Sequence, residues 1–183
     1  MVDEALLIQT IRAGNENAFT TVVERYQAPI ARYLCRLVGE RSLAEDLTQE
    51  TFVKAYVAIL RTNSELALRP WLYQIATNEA KMHFRRRKLI RFLPFLAERH
   101  DSPTPPADSS VGERDLVRQV LAQLPEETAA LLLLYLVEGF KQHEIGAILG
   151  ISADAVRKRV ARGSEQFRKL YTQLEGGTNH AVR

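Results

Sequence analysis

Apolar residues return at helical rather than strand spacing along nearly the whole chain. Leu6, Leu7 and Ile11 predict a first helix over about residues 3–13, stopped near Gly14. Phe19, Val22, Val23, Tyr26, Ile30, Tyr33, Leu34 and Leu37 predict a second, capped by Asn15 or Asn17 and ending near Gly39. Pro29 lies inside it and predicts a kink or a local break, because proline lacks the backbone donor and clashes with the preceding turn. Ser42, with Glu45 three residues on, reads as a capping box that opens a third helix over about 42–60. Leu47, Phe52, Ala55, Tyr56 and Ile59 form its apolar stripe. Residues 61–69 read as a loop. A fourth helix starts near Pro70 and carries Trp71, Leu72, Ile75 and Ala76 toward a basic end.

The periodicity stops at residues 101–112, which are too rich in proline and polar side chains to pack a core. The apolar stretch 89–96 just before them is expected to pack back onto the first four helices, or else to cover a partner-binding surface. Beyond the linker, Leu116, Val117, Val120, Leu121 and Leu124 mark a helix ended by Pro125, and residues 126–137 mark another stopped by Gly139. Alternation of the strand type is missing, and no two-residue hairpin signal joins apolar runs. The expected fold is all-α: a four-helix N-terminal domain and a helix-turn-helix C-terminal domain, joined by a flexible linker.

The helix-turn-helix reading rests on residues 141–171. Ile145, Ile148 and Leu149 share one face of a short helix, Gly150 suits a tight turn that needs positive φ, Ile151 fills the corner and Ser152 caps the next helix. The small Gly146 and Ala147 let the two helices approach closely. On the second helix Val156, Val160, Phe167 and Leu170 are spaced to pack inward, while Arg157, Lys158, Arg159 and Arg162 crowd its first half. That is the arrangement of an element whose N-terminal part enters the major groove, where arginine pairs with guanine edges or phosphates. The alternative is the solvated basic face of an ordinary helix.

Composition narrows the function. The 183 residues fit one large or two small domains, and a net charge of +3 with a pI near 9.1 leaves nucleic acid open as a partner. Cys35 is the only cysteine, which excludes an internal disulfide and a cysteine zinc site; a small, buried apolar position on a helix is the plain reading. No phosphate-binding Gly-rich loop or His-Glu-x-x-His occurs, and the four histidines share no metal-ligand spacing. We therefore expect no catalytic residue, no metal and no cofactor. The N-terminus lacks a signal-peptide pattern and the longest apolar run, residues 129–137, is too short to span a bilayer, so a cytoplasmic location is expected. From Lys81 to Arg91 the chain carries six basic residues and no acidic one, with Phe84 and Phe92 interleaved and Trp71 and Tyr73 upstream. Such a stretch suits a phosphate backbone and stacking on unpaired bases, or simply caps a helix dipole. Asp46, Gln49 and Glu50 stand together at i, i+3 and i+4 on the third helix, a pattern that alone fits any solvated face.

The segment Asp46-Leu-Thr-Gln-Glu-Thr-Phe-Val-Lys-Ala-Tyr56 resembles the most recognisable part of bacterial RNA polymerase sigma factors, in particular the extracytoplasmic-function (ECF) group. The resemblance implies that Asp46, Gln49 and Glu50 bind core RNA polymerase at the β′ coiled coil. Residues 71–81 followed by Arg85-Arg86-Arg87 resemble the segment that melts and reads the promoter −10 element. This implies −10 DNA contacts by Lys81, Arg85, Arg86, Arg87 and Lys88, with Asn63 and Ser64 of the preceding loop as candidates for a flipped base. Leu124-Pro125-Glu126-Glu127, Glu144-Ile145, Leu149-Gly150-Ile151-Ser152 and Val156-Arg157 resemble the family's C-terminal domain, implying −35 contacts by Ser152, Arg157, Lys158, Arg159 and Arg162. Leu68, Met82, Gln142-His143 and Gly146 depart from the usual family residues, the first two at positions that bear on −10 preference.

The resemblance covers residues 5–90 and 113–171. It implies a region 2-like domain over 1–96, a linker over 97–112 in place of the third folded domain of larger sigma factors, a region 4-like domain over 113–172 and a tail over 173–183. It also implies promoter DNA and an anti-sigma factor as partners, the latter able to hold the protein at the membrane. The rival readings are a conventional helix-turn-helix regulator whose N-terminal domain senses a ligand or dimerises, and an adaptor that is mainly the target of an inhibitory protein. The Asp46, Gln49 and Glu50 face separates them, since only a sigma factor needs it for polymerase.

Overall fold

The computed structural model describes residues 4–62, 66–92 and 112–180, and every element of regular structure among them is a helix. Asn63 and Ser64, residues 93–96 of the apolar stretch and almost all of the expected linker lie outside the described residues.

Helix α1 (Glu4–Arg12) buries Leu7, Ile8 and Ile11, whereas Leu6, expected inward, is exposed. The helix is turned by its first residue: the Glu4 carboxylate accepts from the Tyr26 hydroxyl at 2.9 Å and lies 3.8 Å from Arg25. Helix α2 (Glu16–Val38) is capped by Asn15, whose side chain accepts from the Ala18 amide, and it ends on Gly39 at φ 76°. The helix passes through Pro29 without the expected break. The carbonyl that proline leaves unpaired belongs to Arg25, an exposed residue where water can satisfy it.

Helix α3 (Arg41–Arg61) starts one residue before the expected site, and its capping box is not formed. Ser42 donates its hydroxyl to the Glu40 carboxylate at 2.8 Å, and Glu45 is taken by Arg41 at 2.9 Å. Its inward stripe holds as expected: Leu47, Phe52, Ala55 and Ile59 are buried, and half-buried Tyr56 packs 5.0 Å from the Phe19 ring. Helix α4 (Leu68–Phe92) places Pro70 in its first turn, where no intrahelical partner is lost, and buries Leu68, Leu72, Tyr73, Ala76 and Ala80. Leu89, at the start of the apolar stretch, is exposed.

In the second half, α5 (Glu113–Gln123) is followed by α6 (Glu126–Leu132), which was expected to run on as one α-helix to residue 137. It winds instead into a π turn over Leu133–Val137, closed by the Glu138 amide on the Leu133 carbonyl at 3.0 Å. Gly139, at φ 70°, then ends it, with the Phe140 amide donating to the Leu134 carbonyl. Leu131 to Leu134 are all buried, because this stretch packs on α8 on one side and on α2 on the other. Helix α7 (Gln142–Leu149), Gly150 at φ 69° and α8 (Ala153–His180) complete the expected helix-turn-helix. Helix α8 continues through residues 173–180, most of the stretch expected as a tail.

The two halves share one contiguous buried cluster, with α4 packed on α7 and α2 on α5 and α6. At their junction the Phe140 ring meets Tyr73 edge-on at 4.9 Å, Tyr73 lies 5.2 Å from Tyr33, and the Arg69 guanidinium sits 4.0 Å over Phe140. Gln74 donates to the Ala147 carbonyl at 3.2 Å, and Lys88 meets Glu126 at 3.1 Å.

The turn of the helix-turn-helix depends on close approach. A Cβ on Gly146 would stand 2.7 Å from the Ile151 main-chain oxygen, whereas neighbouring Ala147 is exposed. Gly146→Val is expected to lower the unfolding free energy by about 1–3 kcal/mol through overpacking. Ala147→Val, at an exposed position on the same helix, should cost no more than the helix-propensity difference of about 0.7 kcal/mol in the same urea titration.

Candidate nucleic-acid and polymerase interfaces

Three polar surfaces emerge from this frame. The first is on α3. Thr48 and Thr51 are buried and satisfied internally, donating to the Ala44 and Leu47 carbonyls at 2.6 and 2.7 Å. The polar side chains left over on the opposite side, Asp46, Gln49 and Glu50, are all exposed, and none bonds or pairs with another described residue. Fold stability does not require their charge. The structure brings these three together as the spacing predicts.

The second surface is the basic end of α4. Arg85, Arg86, Arg87 and Lys88 are exposed and Lys81 is half-buried. Helical spacing lines up Lys81, Arg85 and Lys88 at i, i+4 and i+7, while Arg86 and Arg87 leave the axis on other sides. The six-residue basic run is therefore not one patch. Lys88 is also engaged with Glu126 of α6. Further back on α4, Glu79 is buried except for an ion pair with Lys54 of α3, which ties the two helices together. Tyr73, expected as a stacking aromatic for unpaired bases, is buried at the junction between the halves, and Trp71 is half-buried. Burial, together with the hydrogen bond to Glu138, pushes the Tyr73 phenol well above its ordinary pKa, so its hydroxyl remains a donor.

The third surface is the first half of α8. The Ser152 hydroxyl accepts from the Ala155 amide at 3.2 Å, making it the cap of this helix, and Val156 is fully buried. Arg157, Lys158, Arg159 and Arg162 are exposed around the outer arc. Two acids that the basic pattern obscured share these charges. Asp154 accepts from Arg157 at 2.8 Å and lies 3.5 Å from Lys158, and Glu127 of α6 lies 3.8 Å from Arg159. Gly163 adds a close approach that no motif announced: a Cβ there would meet Thr128 at 2.8 Å, so α8 lies tight on α6. Among the described residues no group of histidine, cysteine and carboxylate side chains could hold a metal ion.

Both halves of the chain are similar to known proteins. Residues 22–90 match the family described as Sigma-70 region 2, and residues 114–167 match Sigma-70, region 4. The chain is 34% identical over 172 residues to the RNA polymerase sigma factor CarQ of Myxococcus xanthus, an alignment covering 92% of this chain and 97% of that one. It is 31% identical over 179 residues to the ECF RNA polymerase sigma-E factor of Haemophilus influenzae, covering 91% and 94%. Among solved structures, the sigma factor RpoE in complex with the anti-sigma factor NepR from Bartonella quintana superposes with a TM-score of 0.70 at 21% identity, over 84% of this chain and 96% of that one, which shows a shared fold.

If the outer arc of α8 reads duplex DNA, Arg157→Ala with Arg159→Ala should weaken binding by about 1–3 kcal/mol for each base pairing removed. Footprinting of the upstream promoter element checks this, and a protected element in the double variant would mean that α8 is not the reading helix.

Proposed function

The chain belongs to the ECF group of sigma-70 RNA polymerase sigma factors, and from that membership we propose how its surfaces divide the work of promoter-specific initiation. A sigma factor acts by binding, without covalent chemistry, so each role falls to an exposed surface rather than to a catalytic centre. The Asp46, Gln49 and Glu50 face of α3 docks on the β′ coiled coil of core polymerase. Lys81, Arg85 and Lys88 on α4, with Arg86 and Arg87 beside them, hold the phosphates of the separated −10 strand. Asn63 and Ser64 take the extracted base. Ser152, Arg157, Lys158, Arg159 and Arg162 on α8 read the −35 duplex. The corresponding units are a region 2-like domain over 1–96 and a region 4-like domain over 113–172. Unpairing a duplex costs a few kcal/mol, which contacts to the extracted strand have to offset.

The observation that carries this reading is the unpaired, exposed state of Asp46, Gln49 and Glu50 in a chain that also presents a basic recognition helix. A conventional helix-turn-helix regulator has no use for such a face. The similar structure of a sigma factor held by NepR supports an anti-sigma factor as the regulatory partner. Among the described residues no helix is long and apolar enough to cross a membrane, so attachment there would come through that partner, and the site of action is the cytoplasm, beside polymerase.

Asp46→Ala combined with Glu50→Arg should abolish co-elution with core polymerase in gel filtration while the helical circular dichroism stays unchanged. Retained co-elution would remove the docking assignment. Arg85, Arg86 and Arg87 changed together to Ala should slow promoter opening, read as delayed permanganate reactivity of −10 thymines; normal kinetics would move strand binding elsewhere.

A further inference from the structure

Glu138 is the point at which the two halves make their densest polar contact. Its carboxylate accepts from the Tyr73 hydroxyl and lies 3.8 Å from the Arg36 guanidinium, and its main-chain carbonyl accepts from Arg69. Arg69 in turn lies flat over the Phe140 ring at 4.0 Å. The Glu138 side chain is only 11% exposed, whereas that of Arg36 is 44% exposed. Two donors of the first half, Arg36 in the last turn of α2 and Tyr73 near the start of α4, therefore converge on the carboxylate supplied by the second, while Arg69 in the first turn of α4 takes the main-chain carbonyl of the same residue.

Two guanidinium groups and a phenol hydroxyl, with Arg69 and Tyr73 near the start of α4, are a donor set that suits phosphate. Arginine forks suit its oxygens, and a helix N-terminus favours negative charge. The cradle also lies on the helix assigned to the separated strand. At 1.5 Å rise per residue, roughly 12–28 Å of α4 separate residues 69–73 from residues 81–88, a distance that a few nucleotides of one continuous strand can span.

We propose that Arg36, Arg69 and the Tyr73 hydroxyl form a phosphate-binding site for the DNA strand, and that the free chain fills this site with its own Glu138. The inference rests on the reading of α4 as the strand-holding helix. Closure of the two halves and occupation of the cradle by DNA are then mutually exclusive. Opening the chain on polymerase removes Glu138 and exposes the Tyr73 ring together with the two arginines.

The test is fluorescence anisotropy of a labelled oligothymidine strand with the full-length protein, titrated with salt. Glu138→Gln should bind on the order of tenfold more tightly than the unaltered chain, with a steeper salt dependence. Glu138→Ala should do the same, which guards against the glutamine amide still accepting from Tyr73. Adding Arg36→Ala and Arg69→Ala to Glu138→Gln should remove the gain and lower the salt slope by roughly 0.7 per arginine. Unchanged affinity in both Glu138 variants overturns the competition, and a gain that survives loss of the two arginines overturns the site. Lys81, Arg85 and Lys88 changed to Ala in the Glu138→Gln chain tests the premise separately: undiminished binding there removes the strand-holding role of α4 and leaves the Glu138 comparison standing by its own result.

Discussion

The hydroxyl of Tyr73 cannot be buried without an acceptor, and that requirement ties the two halves of the molecule together. Its ring is 1% exposed, lodged between Tyr33 of the first half and Phe140 of the second. A buried polar group left unpaired costs about 1–3 kcal/mol. The first half offers this hydroxyl no partner among its described residues; Glu138 supplies one. By comparison the exposed Lys88–Glu126 pair at the same junction is worth roughly 0–1 kcal/mol and would not hold the halves together. The closed arrangement is thus held at one residue more than by the sum of its surface pairs.

The parts of the fold that were legible in the amino-acid pattern are those that repeat. Apolar residues at 3.6-residue spacing, Gly39 and Gly150 as left-handed stops, and Ser152 as a cap all reappear in the structure. What escaped was decided by partners distant in sequence or by competition among neighbours. Leu6 faces water because Leu7, Ile8 and Ile11 take the buried side of α1, an orientation in which Glu4 meets Tyr26. Ser42 has no capping role because Glu40 and Arg41 compete for the same side chains. Pro29 does not break α2 because the carbonyl it frees belongs to a residue in contact with solvent. The candidate surfaces follow the same division. The α3 face and the outer arc of α8 are local patterns on single helices, so spacing and family resemblance reach them. Arg36, Arg69, Tyr73 and Glu138 come from three separate segments, and Phe140 sits in a turn that no periodicity covers.

The basic arc of α8 also shows how a DNA-binding helix behaves before it meets DNA. Asp154 and Glu127 are exposed, and their pairs with Arg157, Lys158 and Arg159 span 2.8 to 3.8 Å. Exposed pairs of this kind contribute little and are screened by salt. They moderate self-repulsion in the free chain and would yield to another anion at small cost.

The π turn at Leu133–Val137 has a consequence for how the two halves stay in register. A π turn accommodates one residue more than an α turn over the same rise, and it therefore resets the azimuth of everything that follows. It is this reset that aims Glu138 and Phe140 at α4. Loss of a single residue within 133–137 would return the segment to α winding and leave both side chains near their present azimuth, whereas rewinding it to α at unchanged length would swing them by about 100° away from Tyr73. Every helix could remain intact after such a rewinding, yet the angular phase that couples the two halves would be gone.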